Sequence, residues 1–151
     1  MNREFELRDL YNFDRRLPDV VKTYLEGSLT NETNYNAMKS VLDAVVASKS
    51  GARAVVTLAD GTLVYDSKNN SLSTTDPSVS TKLNKAVNAN NKGIGENHQS
   101  RIAIMLACLT VNGVGMEQKY STSSGKFEEY LAVRVGPSSR YAIGVIRVSL
   151  S

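Results

Sequence analysis

The sequence predicts an α+β domain on three observations. Apolar residues recur at helical spacing as far as residue 48, the period changes from 3.6 to 2 at Gly51, and three alternating runs of strand length close the chain. A chain of 151 residues fits one domain and buries roughly two-thirds of its unfolded surface. Hydrophobic residues at 41% and charged residues at 22% are ordinary for a globular chain, so no disulfide or metal staple is required.

Residues 4–12 and 18–26 read as helices. In the first, Phe5, Leu7, Leu10 and Tyr11 are compatible with one face; the second opens on Pro18, carries Val20, Val21, Tyr24 and Leu25, and stops at Gly27. The helix over 31–48 is the clearest. Thr30 or Asn31 can cap it, Glu32 or Glu26 places favourable charge near its start, and Tyr35, Met38, Val41, Leu42, Val45 and Val46 form its stripe. From Gly51 the alternation gives strands Ala54–Leu58 and Thr62–Tyr65. Asp60-Gly61 between them marks a hairpin, because glycine supplies the positive φ of a tight turn.

Residues 67–80 are polar and turn-rich and read as a surface loop. Thr81–Asn90 reads as a helix, Asn91–Asn97 as a loop, and Ser100–Val111 as a helix ended by Gly113. The closing strands fall at Val114–Ser121, Glu129–Val135 and Tyr141–Leu150, with turns at Thr122–Lys126 and Gly136–Ser139. No internal repeat or linker interrupts this order. The expected organisation is a helical segment over 1–30 leading into a domain over 31–151 within one globular unit.

Composition removes several functions. The net charge of +3, from 18 Lys and Arg against 15 Asp and Glu, is spread along the chain and lacks the basic stripe of a nucleic-acid binder. Cys108 is the only cysteine and sits in an apolar run, the setting of a small buried thiol and not of a nucleophile. His98 is the only histidine, which excludes a catalytic triad and a multi-histidine zinc site. Glu128 and Glu129 are neighbours on a strand and point to opposite faces, so they make no glycosidase pair. Gly93-Ile94-Gly95 lacks the rest of a phosphate loop, and Gly113-Val114-Gly115 reads as a tight turn. No run approaches the roughly 18–20 apolar residues of a membrane span. Charges begin at Arg3, unlike a signal peptide. The sequons at Asn31 and Asn69 carry little weight among 13 asparagines.

The polar residues of the closing strands are more informative. Tyr130, Ala132 and Arg134 share one face of their strand. Arg147 shares a face with Tyr141, Ile143 and Val145, and Lys119 alternates with Tyr120. Arg134, Arg147 and Lys119 could converge as an anion-binding patch for carboxylate or phosphate. The competing reading is a solvated face ion-paired to Glu117 and Glu128.

Four phrases in the right order resemble the PAS-like extracellular sensor domains known as Cache or PDC domains. They are Ala54–Leu58 with Asp60-Gly61 and Leu63–Ser67, then Gly113–Ser121 with Lys119 at a usual arginine, then Glu129–Val133, then Gly144–Ser149. The resemblance spans residues 31–151. It implies a five-stranded antiparallel sheet with the long N-terminal helix packed on one face, and a small pocket on the other face beneath the 67–112 insertion. The pocket residues it implies are Tyr65, Arg101, Lys119, Tyr130 and Arg134. Such sensors sit between two membrane helices and drive an output domain, and this chain contains neither. An excised sensor would be extracytoplasmic, while a fold working alone would act by binding partners. The style of the sequence is also similar to proteins of large DNA viruses.

The leading expectation is a non-enzymatic PAS/Cache-like binding domain that senses a small ligand or acts through protein contacts. The alternative is an assembly module, such as a minor capsid or virion protein. No cofactor, metal, membrane segment or nucleic-acid partner is expected; the partner is a small molecule or a protein, with a homo-oligomer or larger assembly left open.

Overall fold

A computed structural model of the chain describes residues 3–68, 107, 110–121, 125–138 and 140–151. Three helices, α1 (Glu4–Tyr11), α2 (Leu17–Glu26) and α3 (Glu32–Ala47), precede five strands. The strands are β1 (Ala52–Leu58), β2 (Leu63–Asp66), β3 (Val114–Ser121), β4 (Lys126–Val135) and β5 (Gly144–Leu150). They form one antiparallel sheet in the order β2-β1-β5-β4-β3, so the last strand lies at the centre between the first and the fourth. This is the α+β, PAS/Cache-like architecture that the resemblance implies.

Local sequence explains each helix. Asn31 caps α3, its side-chain oxygen accepting from the Asn34 N–H at 2.9 Å, and Glu32 adds a favourable charge in the first turn. Tyr35, Met38, Val41, Leu42 and Val45 are buried along one stripe, with Val46 packed at its border. Proline opens α2, whose Leu17, Val21 and Tyr24 are buried. The Tyr24 hydroxyl donates to the Leu29 carbonyl at 2.8 Å, and the Tyr24 and Tyr35 rings meet edge to face with centroids 5.5 Å apart. In α1, Leu7 and Leu10 are buried while Phe5 is 78% exposed. Two helical residues turn the side chain by about 200°, so Phe5 and Leu7 cannot share a face.

All three helices cover the same side of the sheet. Leu7, Leu10, Leu17, Val21 and Tyr24 belong to one core with the α3 stripe, Ala54, Val56, Leu131, Val135, Ile146, Val148 and Leu150. Residues 4–26 are therefore packed into the same core as the rest. Full burial of each large apolar side chain contributes about 1.5–3 kcal/mol. The Arg3 N–H donates to Glu129 at 2.8 Å and the Arg3 guanidinium to the Ser151 carbonyl at 3.0 Å, which fastens the start of α1 to the ends of β4 and β5.

The β1–β2 hairpin closes through the Leu58 N–H on the Thr62 carbonyl at 2.8 Å, around Ala59, Asp60 and Gly61. Gly61 has φ +90°, and Asp60 accepts from the Thr62 N–H at 2.9 Å, so the turn chemistry is as expected. Several strand ends differ from the sequence reading: β1 starts two residues earlier, at Ala52, and β2 runs one residue later at each end. β4 starts earlier, at Lys126, and β5 starts later, at Gly144. Residues 141–143 instead turn back, with the Tyr141 N–H on the Ser138 carbonyl and the Ile143 N–H on the Val135 carbonyl. Ile143 consequently packs at the border of the helix-side core and does not share a face with Arg147. The expected helix at 81–90 and loop at 91–97 lie outside the described residues. So does most of the Ser100–Val111 helix, of which Ala107 is helical while Thr110 and Val111 already bend away.

Candidate functional site

Strand alternation turns a second set of side chains to the face away from the helices. From β1 these are Arg53, Val55 and Thr57; from β5, Val145, Arg147 and Ser149; from β4, Glu128, Tyr130, Ala132 and Arg134; from β3, Glu117 and Lys119. The register arranges them in rows. Arg53, Ser149, Tyr130 and Glu117 stand side by side across four strands, and Val55, Arg147 and Ala132 form the next row, with Asp66 of β2 beside Val55.

This face is largely dry and yet polar. Thr57, Asp66, Arg147 and Ser149 are all buried on it. Ala107 packs there with Tyr130, Ala132 and Val145. Lone buried polar groups are costly, so their partners matter. Arg53 reaches diagonally to Asp66 through two nitrogens at 3.0 and 2.5 Å, a bidentate pair, and Asp66 also accepts from the Lys68 N–H at 3.0 Å. Burial pushes the Asp66 carboxyl upward, but the hydrogen bonds from Arg53 and the Lys68 N–H, with the charges of Arg53 and Arg147, outweigh it and hold the pKa below the usual carboxylate range. Burial likewise works against the charge on Arg53, and Asp66 more than restores it, assisted by Tyr130 and Glu128. The Arg147 guanidinium lies 5.1 Å from the centre of the Tyr130 ring, whose hydroxyl donates to Glu128. The Thr57 hydroxyl is buried on this face with no hydrogen-bond partner among the described residues.

The residues singled out from the sequence separate. Tyr130 lies in the middle of this cluster. Arg134 is on the same face near the exit of β4, where its guanidinium donates to the Thr110 carbonyl at 2.6 Å and, more weakly, to those of Val111 and Gly136. Its donors hold the segment that enters β3. Lys119 is exposed on edge strand β3, in register with Glu128 and one strand further from Arg147 than Tyr130 is. The three cations Arg134, Arg147 and Lys119 are thus spread along the face and do not meet. Tyr65 is on the opposite side, in the helix-side core, where its hydroxyl donates to Asp43 of α3 at 2.8 Å and burial drives its pKa well above the usual phenol value. A register shift between Val56 and Thr57 sets that orientation. Arg101, His98 and Cys108 lie outside the described residues.

Arg53, Thr57, Asp66 and Ser149 are cluster members that the sequence reading missed; from the β1–β2 hairpin it singled out Tyr65 instead. The available signal was an arginine opening one hairpin strand and an aspartate ending the other, close enough for a diagonal pair. Among the described residues no group of His, Cys, Asp and Glu is arranged to hold a metal ion, and no helix is long and apolar enough to cross a membrane.

No family model matches the chain, and no curated protein matches it. Among solved structures, the crystal structure of the V. cholerae histidine kinase DctB sensor domain is similar, with a TM-score of 0.55 and 17% identity. The match covers 91% of this chain and 43% of that one. Likeness at that identity establishes a shared fold, the one the sequence resemblance implies, and lends nothing to the viral resemblance.

Proposed function

We propose that this chain is a non-enzymatic, sensor-type binding domain that takes a small ligand with an anionic group against the second face of its sheet. One observation carries the reading: the face turned away from the helices buries Arg147, Asp66, Ser149 and Thr57 beside Arg53 and Tyr130. The helix-side face is mostly apolar by contrast, its buried Glu129 and Tyr65 being bonded to Arg3 and Asp43 of the helical layer. Arginine presents a planar array of donors suited to carboxylate or phosphate, and in a dry setting each such bond is strong. The Thr57 hydroxyl, buried and without a partner among the described residues, is a further polar atom on the same face.

The electrostatics favour binding over catalysis. Asp66 is held ionised by Arg53, so it is a weak base at neutral pH and has no proton to give. The paired Arg53 and Asp66 act as a rigid wall, and Arg147, seated on the Tyr130 ring, is the donor for the ligand. The similarity to a sensor domain supports the same reading at the level of fold.

The test is native mass spectrometry and calorimetry of the purified chain against a panel of small carboxylates and phosphates. A ligand should bind the wild type, and Arg147→Gln should weaken it by at least about tenfold, the scale of one charge-assisted hydrogen bond. Arg134→Gln, at the arginine whose guanidinium reaches Thr110 and Val111 near the exit of β4, should change affinity much less. Absence of any bound anion from the folded wild type, or equal losses in the two variants, would sink the proposal.

A further inference from the structure

The ligand reading leaves β3 unused, and the edge this strand presents is independent of it. β3 is the terminal strand of the sheet and pairs with β4 alone among the described residues. The Arg134 N–H donates to the Gly113 carbonyl at 2.7 Å, in line with the β3–β4 register. Odd-numbered positions of β3 therefore direct their backbone groups inward to β4, and Val114, Met116, Gln118 and Tyr120 direct theirs outward. At Val114 that outward edge is closed by the chain itself. The Val114 N–H donates to the Asn112 side chain at 3.2 Å, and its carbonyl accepts from the Thr110 hydroxyl at 3.2 Å. Among the described residues the open stretch thus runs from Met116 to Tyr120 and is centred on Gln118. Gln118, Lys119 and Tyr120 are exposed. Tyr120, 51% exposed, meets the exposed Phe127 edge to face with centroids 5.1 Å apart.

We infer that β3 is a self-pairing edge, joining two copies of this chain antiparallel about Gln118 into one continuous sheet. The charge order selects the occupant. About a two-fold axis through Gln118, Glu117 of one copy faces Lys119 of the other, and the same pair forms again across the axis. These are the non-hydrogen-bonded positions, where facing Cα atoms are only about 4.5 Å apart and side chains interact most closely. Met116 faces Tyr120 on the other side of the ribbon, beside the Tyr120–Phe127 aromatic pair. A lysine on an open edge ordinarily repels pairing; with glutamate two residues before it, it becomes complementary to a second copy of the same strand.

Sedimentation velocity across a concentration series tests this, with circular dichroism to confirm folding. The wild type should show a reversible dimer. Lys119→Glu and Glu117→Lys should each weaken it by at least about tenfold, since each turns both facing pairs into like charges. An equimolar mixture of the two variants should recover a heterodimer, because one copy then presents carboxylates at both positions and the other presents ammonium groups at both. Hydrogen exchange gives a second readout. The amides of Met116, Gln118 and Tyr120 should gain protection as concentration rises, while those of Glu117 and Lys119, already bonded to β4, should not. A monomer throughout the range to about 1 mM, a dimer indifferent to either charge reversal, or no recovery in the mixture would overturn the inference.

Discussion

Replacing Asp66 by asparagine removes the charge that the Arg53 guanidinium is built around and changes almost nothing in volume. Asp66 has a side chain only 7% exposed and Arg53 one 24% exposed, so the pair is partly desolvated. Breaking a fully buried pair by removing one partner costs about 3–5 kcal/mol, and the access of water to Arg53 lowers the expectation here to about 2–3 kcal/mol. For a chain of this size that lowers the thermal midpoint by about 5–10 °C. Arg53→Met should cost at least as much, because it leaves the more deeply buried carboxylate without its bidentate donor. The double variant should be less destabilised than the sum of the singles, with a coupling of at least about 1 kcal/mol. The pH dependence has a definite sign. The Asp66 pKa is lowered on folding, so its contribution is complete above the unfolded carboxylate value of about 4 and is lost as pH falls through the folded value. Urea unfolding at pH 7 and at a series of acidic values measures both effects, and Asp66→Asn should flatten the acid limb. Additive single variants, or an acid limb unchanged by Asp66→Asn, would refute the pairing as a source of stability.

Two further substitutions probe the scaffold. Leu42→Ala empties a fully buried site of α3 and should lower stability by about 2–5 kcal/mol, read as a shift in guanidinium midpoint with an unchanged slope. Gly144→Ala would drive a Cβ into the Thr57 carbonyl oxygen and place it 2.5 Å from Leu25 Cδ1, forcing β5 away from β1. A loss of at least about 1–3 kcal/mol is expected in thermal unfolding, and a neutral alanine would show that the two strands can separate there without cost.

Much of the fold was legible because its causes are local. Helical spacing in α3, the asparagine before it, the Asp60-Gly61 turn and the alternation in β3 and β4 are all written within a few residues of where they act. The resemblance of four short phrases then arranged the strands into one PAS/Cache-like sheet, as the structure has them. Strand ends were less legible, since whether residues 141–143 pair or turn is decided by the Val135 carbonyl that Ile143 bonds, not by their own pattern.

The sequence by itself determined the α+β class, the three helices before the sheet, the position of each strand and the alternation that turns Tyr130 and Arg134 to one side. Only the tertiary structure decided which charges meet. Arg53 and Arg147 stand 94 positions apart in the chain (147 − 53), yet their strands are neighbours because β5 returns to the centre of the sheet. Tyr65 left the second face for the helix side because one register shift at a four-residue strand reverses the facing of its side chains. Periodicity is a property of the chain and can be read along it. A site is a set of distances between strands, and those depend on register, which is settled only when the whole sheet assembles.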